Sequence, residues 1–193
     1  MPSSWTVIVP VKPPAVGKSR LLPGGPAFAR AIALDTIAAV VACPVVERVL
    51  VVTADAAFRP PGAEIVAERA LAGIDAAVRL ADSRTTGPRA ALLGDLPALR
   101  PADLADALAL AAQHARAFVA DRDGTGTTLV TAGAGIELLT AFGPGSAARH
   151  RALGLTPLVL PPGSTVPDDV DTAEQLAAAG SLGLGPNTAA LVA

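Results

Sequence analysis

The chain has 193 residues, 51% of them hydrophobic and 17% charged, and a formal net charge of −2. This describes a single domain over residues 1–193 with a substantial core, and it excludes a disordered chain. The weak acidity excludes general nucleic-acid binding, which relies on a basic surface. One cysteine, Cys43, excludes an internal disulfide framework; among Val41, Ala42 and Val45 it reads as a buried, inert thiol in a reducing compartment.

In chain order, residues 5–11 are β-branched and apolar, the pattern of a central first strand that ends near Pro10. A loop with Pro13, Pro14 and Gly17 follows, and then residues 27–42 read as a helix. The longest apolar stretch, 32–46, is broken by Asp35 and Pro44, so no membrane span is expected. The first five residues lack a basic n-region, which points to the cytoplasm. Residues 49–53 and 63–67 read as strands and 73–82 as a helix. The run 89–94 is a buried strand that stops at Gly94-Asp95. Pro101 opens a helix expected to run to about residue 115. This alternation predicts an α/β fold with a parallel, doubly wound sheet. Further on, 118–120, 127–131 and 155–160 are strand candidates, and 146–153 and 172–179 are helices. The Gly- and Ala-rich tail 180–193 has no assigned element.

Asp95 is the first candidate for chemistry. In open parallel sheets ligands bind outside the carboxyl ends of the strands, where a carboxylate after a buried strand would sit. The plain alternative is a turn cap. In the loop after the first strand, Gly17-Lys18-Ser19 imitates the end of a P-loop. The glycine required five positions earlier is Lys12, so the P-loop reading fails. Lys12, Lys18 and Arg20 remain, three cations suited to a polyphosphate whose charge grows during phosphoryl or nucleotidyl transfer. Otherwise they form a solvated cationic loop.

Downstream, Asp169 and Asp171 project to one side of an extended segment, because side chains alternate with period two. With Asp95 they make an oxygen-rich set suited to Mg²⁺. Asp171 also fits an N-cap with Glu174 as its capping-box partner, a role compatible with the first. Two Gly-rich segments, 121–128 and 142–146, offer backbone N–H groups and hydroxyls, the second at the start of a short helix. Together they suit a small anionic acceptor. His150 reads as structural or as an auxiliary cation rather than as a base, since transfer to a phosphate needs none.

These residues carry a resemblance. The chain is similar to the phosphoenolpyruvate and 2-phospho-L-lactate guanylyltransferases of coenzyme F-420 biosynthesis, which have a GT-A-like, Rossmann-like nucleotidyltransferase fold with a mostly parallel central sheet flanked by helices. The matching motifs are Val9-Pro10-Val11-Lys12 with Lys18-Ser19-Arg20-Leu21, Gly94-Asp95-Leu96-Pro97, Phe118-Val119-Ala120-Asp121-Arg122 with Gly124-Thr125-Gly126-Thr127, Phe142-Gly143-Pro144 with Ser146, Arg149 and His150, and Asp169-Val170-Asp171-Thr172. The resemblance implies Mg²⁺ on Asp95, Asp169 and Asp171. It implies an acceptor pocket for phosphoenolpyruvate at Thr127, Gly143 and Ser146, and GTP phosphates on Lys12, Lys18 and Arg20. GMP would pass from GTP to phosphoenolpyruvate with release of pyrophosphate, and the product would go to the downstream transferase of the deazaflavin pathway.

One departure stands at residues 71–77, the turn that faces base and ribose in the family. Asp75 occupies a position where relatives usually carry Asn. A carboxylate only accepts, yet it can pair with guanine N1–H and N2–H, so GTP remains the expected nucleotide. Rival readings are 2-phospho-L-lactate or 3-phosphoglycerate as acceptor, a molybdenum-cofactor or sugar-phosphate nucleotidyltransferase, and a nucleotide-binding regulatory domain. The longer Gly-rich loop of the cofactor and sugar enzymes is replaced here by Lys12-Pro13-Pro14.

Overall fold

Alternation with period two organises the core. In the first strand, β1 (Trp5–Pro10), Val7 and Val9 face one side and Ile8 the other, and all three are fully buried. The computed structural model describes residues 4–12, 25–69 and 72–192. The remaining strands are β2 (Val46–Thr53), β3 (Glu64–Ala67), β4 (Arg89–Leu92), β5 (Arg116–Ala120), β6 (Thr127–Ala132) and β7 (Thr156–Pro157). They form one seven-stranded sheet in the order β3-β2-β1-β4-β6-β5-β7. Pairing is parallel except at β6, which runs antiparallel to both β4 and β5.

Helices cover both faces: α1 (Gly25–Val41), α2 (Ile74–Asp82), α3 (Pro101–Ala111), α4 (Ser146–Ala152), α5 (Ala173–Leu182) and α6 (Pro186–Val192). Val7, Val9, Val51 and Leu92 pack against Ile37 and Val40 of α1 and Leu104 and Leu108 of α3. Ile8, Leu50, Phe118 and Val130 pack against Ala77 and Val78 of α2 and Ala147 of α4. Both faces being covered explains why the strands read as continuous apolar runs.

Three expectations are corrected. The helix that opens at Pro101 ends at Ala111, because residues 113–115 turn the chain into β5. The strand expected over 155–160 shrinks to Thr156–Pro157 with one further ladder bond, Leu158 N–H to the Phe118 carbonyl at 2.8 Å. Pro157 has no N–H to donate, and beyond this edge Val159 is 90% exposed. The tail forms α6, whose first turn is capped from far along the chain. Asp35 of α1, 5% exposed, accepts from Asn187 N and Nδ2 through Oδ1 and from Thr188 N through Oδ2. No local motif announces a cap supplied from so far away.

Candidate active site

The parallel strands β1, β2 and β4 leave the sheet on one edge, and the reversed β6 enters on that same edge. Leu92 pairs with Leu129, and Leu93 N–H bonds the Thr128 carbonyl at 2.9 Å, so Thr127 lies across from Gly94 and Asp95. A Cβ on Gly94 would meet the Pro10 carbonyl oxygen and the Val11 side chain at 3.4 Å, which sets Asp95 beside the end of β1 and the exposed Lys12. The loop after β4 is held from below: Leu96 N–H donates to Thr36 Oγ1 at 3.0 Å and Gly185 N–H to the Pro97 carbonyl at 2.8 Å. Lys18 and Arg20 lie outside the described residues, as does Leu71 of the turn before Asp75.

The acidic segment is fixed on both sides. Arg122 grips Asp168 with Nε on Oδ1 at 2.7 Å and Nη2 on Oδ2 at 2.5 Å, and the Asp168 hydrogen bond raises the guanidinium pKa further. Two residues on, Val170 N–H donates to the Asp95 carbonyl at 2.9 Å. Val170 is buried against Phe28, Ala98 and Leu176, while its neighbours Asp169 and Asp171 are half-buried. That is the alternation expected of an extended segment.

The capping box sits one residue later than expected. Thr172 Oγ1 accepts from Gln175 N at 3.2 Å, and Gln175 Oε1 accepts from Thr172 N at 3.0 Å and Asp171 N at 2.8 Å. Gln175, not Glu174, closes the box, and Asp171 is not the cap.

The fold thus brings Asp95, Asp169 and Asp171 to one place through their backbones. None of the three lacks a partner, and among the described residues no three His, Cys, Asp or Glu side chains converge into a closed metal cage. Hard carboxylate oxygens on an open edge still fit a divalent cation of the Mg²⁺ kind, which keeps several waters and takes one or two carboxylates plus substrate phosphates.

The segment 121–126, expected to face an acceptor, is built differently from that expectation. Asp121 Oδ1 accepts from Thr125 N at 2.9 Å and Oδ2 from Gly126 N at 2.7 Å. Those N–H groups are consumed inside the loop and do not face an anion. A Cβ on Gly126 would overlap Asp121 Oδ2, so a side chain there would displace the carboxylate that holds the loop. Gly143 has φ of 114°, and its carbonyl accepts from Ser146 N at 3.0 Å, while Ala147 N–H bonds the Thr125 carbonyl at 3.1 Å. Thr127 and Ser146 are therefore neighbours in one cluster, 3% and 1% exposed.

Two residues that the sequence reading left with minor roles hold this cluster. Arg149 donates through Nε and Nη2 to the Ala141 carbonyl at 3.1 and 2.9 Å and through Nη1 to that of Pro144. His150 is fully buried, with Nδ1 2.9 Å from Thr127 Oγ1 and Nε2 accepting from Ala141 N at 2.9 Å. Burial pushes its pKa down to about 4; the Asp75 charge opposes and the Arg149 charge adds to the effect. His150 is therefore neutral near pH 7, which removes the auxiliary-cation role and leaves the structural one. Asp75, in the first turn of α2, accepts from Phe142 N through Oδ1 at 3.0 Å, so one of its oxygens is already committed to the acceptor-side loop.

A shallow hollow at the ends of β1 and β2 is lined by Val11, Lys12, Arg30, Thr53, Asp55 and Phe58. Arg30 stacks 5.0 Å above the Phe58 ring and lies 3.6 Å from Asp55. Sequence pattern gave no sign of this cluster, since an arginine early in a helix is ordinarily a solvated charge.

A mostly parallel sheet with one reversed strand beside its exit edge defines the nucleotide-diphospho-sugar transferase fold. A protein from Desulfovibrio desulfuricans G20, described as a nucleotide-diphospho-sugar transferase, superposes with a TM-score of 0.69 at 18% identity, covering 98% of this chain and 94% of its own. Rv0371c from Mycobacterium tuberculosis H37Rv, solved in complex with manganese, gives 0.60 at 18% identity, covering 93% and 98%. No family model matches the chain. The chain belongs to the phosphoenolpyruvate guanylyltransferase family: the Streptomyces coelicolor member is 47% identical over 98% of this chain and 96% of its own length. Among the described residues no helix is long and apolar enough to cross a membrane.

Proposed function

We propose that this protein transfers GMP from GTP to phosphoenolpyruvate in coenzyme F-420 biosynthesis. The identity of nearly half its residues with a relative of that name carries the reading. A phosphate oxygen of the acceptor attacks the α-phosphorus of GTP in line, the bond from that phosphorus to the bridging oxygen breaks, and pyrophosphate leaves. Lys12, Lys18 and Arg20 neutralise the β- and γ-phosphates as charge moves onto them. Thr127, Gly143 and Ser146 orient the acceptor opposite Asp95, and Asp75 faces the nucleotide through the oxygen that Phe142 does not use. Asp95, Asp169 and Asp171 hold a divalent cation, Mg²⁺, which when bound stabilises the phosphoryl oxygens of both substrates. The manganese bound by Rv0371c, a protein of the same fold, supports a metal of this class.

The test is pyrophosphate release from GTP and Mg²⁺ with phosphoenolpyruvate, 2-phospho-L-lactate and 3-phosphoglycerate in parallel, with the downstream transferase and its deazaflavin acceptor present to trap the product. Turnover with phosphoenolpyruvate is expected. Turnover with phospholactate alone moves the acceptor and keeps the reaction, and GTP binding without pyrophosphate release from any acceptor overturns the reading.

A further inference from the structure

His150 makes more contacts than a packing residue needs. Its ring lies between Phe118 and Phe142, with centroids 5.7 and 5.5 Å away, and both ring nitrogens are hydrogen-bonded. A backbone N–H can only donate, so Nε2, which faces Ala141 N, holds a lone pair and no proton. In a neutral imidazole the proton is then on Nδ1. Nδ1–H donates to Thr127 Oγ1, and the Thr127 hydroxyl receives this bond as an acceptor. Its own O–H must point elsewhere, and among the described residues it has no other partner.

We propose that His150 is a positioning residue for the acceptor: locked as the Nδ1–H tautomer by Ala141, it turns the Thr127 hydroxyl into a donor aimed at an anionic oxygen of the bound substrate. The inference rests on the acceptor pocket proposed above. A threonine without this neighbour can rotate its hydroxyl and present a lone pair, which a carboxylate or phosphate rejects. The same imidazole anchors the 141–146 loop, so the donor from β6 and the segment carrying Gly143 and Ser146 are set by one ring. The charged groups that face it are Asp75 from α2 and Arg149 from its own helix, of opposite sign. An anionic ligand would favour protonating an ordinary histidine, but Nε2 has no room for a proton against the Ala141 N–H.

Two substitutions divide the roles. His150→Gln places an oxygen near the Nε2 position and keeps the Ala141 bond while losing the donor to Thr127. His150→Asn places an N–H near the Nδ1 position and keeps the donor. The Gln variant is expected to retain its melting temperature and its KM for GTP while its KM for the acceptor rises about tenfold. The Asn variant is expected to recover most of that rise. Thr127→Val combined with His150→Gln should be no worse for acceptor KM than Thr127→Val alone, because both remove one hydrogen bond. An unchanged acceptor KM in the Gln variant, an equal rise in both KM values, or additive losses in the double variant overturns the proposal.

Long-range ¹H–¹⁵N spectra of the wild-type imidazole need no substrate. They should show a protonated Nδ1 and a bare Nε2 from about pH 5.5 to 8, and the opposite tautomer or an imidazolium overturns the proposal. Failure of the guanylyl-transfer reading shows separately, as wild-type silence with phosphoenolpyruvate. The acceptor that does react then takes its place in the KM comparison.

Discussion

The backbone N–H of Val170 donates to the carbonyl oxygen of Asp95 at 2.9 Å. This bond joins the two acidic motifs of the chain, which lie far apart in sequence, through backbone atoms. The Arg122–Asp168 ion pair before it and the Thr172–Gln175 capping box after it keep the segment in place. The segment that presents Asp169 and Asp171 therefore has backbone and flanking supports on both sides.

Asp95→Ala and Asp169→Ala should then lower turnover on the order of a hundredfold or more while leaving the fold intact. Pyrophosphate release, set beside circular dichroism and a thermal melt, checks this. Full activity in either variant would remove that residue from the proposed metal site.

Acid should destabilise the protein through His150. Its folded pKa is about 4 and its unfolded value about 6.5, so as pH falls the unfolded chain takes up the proton first. The stabilisation is complete above about pH 6.5 and is lost as pH falls through 4. By pH 4.5 the loss amounts to roughly 2 to 3 kcal/mol. Urea melts at pH 7 and pH 4.5 should show the wild type losing that much more than His150→Gln, and equal losses would contradict the buried, neutral imidazole.

Gly126→Ala should cost roughly 2 kcal/mol, because the new methyl displaces the Asp121 carboxylate and leaves the Thr125 and Gly126 N–H groups without their acceptor. It should also raise the KM for the acceptor, since Thr127 is the next residue. Adding Asp121→Ala removes the clash, so the double variant should lose less than the sum of the two single changes.

Asp35→Ala should detach α6, which depends on that carboxylate for three hydrogen bonds to its first turn. A loss of about 1 to 3 kcal/mol is expected for leaving the buried Thr188 N–H and the Asp35 site without their bonds. Hydrogen exchange should rise over residues 186–192 and, through the Gly185 to Pro97 bond, over the loop that carries Asp95. Exchange unchanged at residues 96–99 would show that the tail and the active-site loop are uncoupled.

The sheet was legible because its strands are buried on both faces and read as unbroken apolar runs, and the strand–helix alternation gave the winding. The antiparallel direction of β6 was not legible, since a buried strand reads the same in either direction. Asp95 stood out as an acid at the end of an apolar strand and Asp169 and Asp171 as alternate residues of an acidic extended segment, and the structure brings the backbones of the two together. The distant partners were hidden. Nothing near Asp35 announces the helix it caps, and nothing near Asp121 announces that it consumes the amides of its own loop. The capping box was displaced by one residue because Thr172-Gln175 and Asp171-Glu174 have the same spacing.

The reversal of β6 divides the mouth of the sheet into two sides that are built differently. On the side of β1 and β4, spacing is dictated by parallel ladders, in which a shift of one residue would move every core side chain to the opposite face. On the side of β6, the segments 121–126 and 141–150 hang from a hairpin and from Asp121, Arg149 and His150, so their length and composition can change without disturbing that register. If the hairpin side holds the acceptor as proposed, a lineage can exchange the molecule it modifies by rewriting that side while the parallel ladders are inherited unaltered.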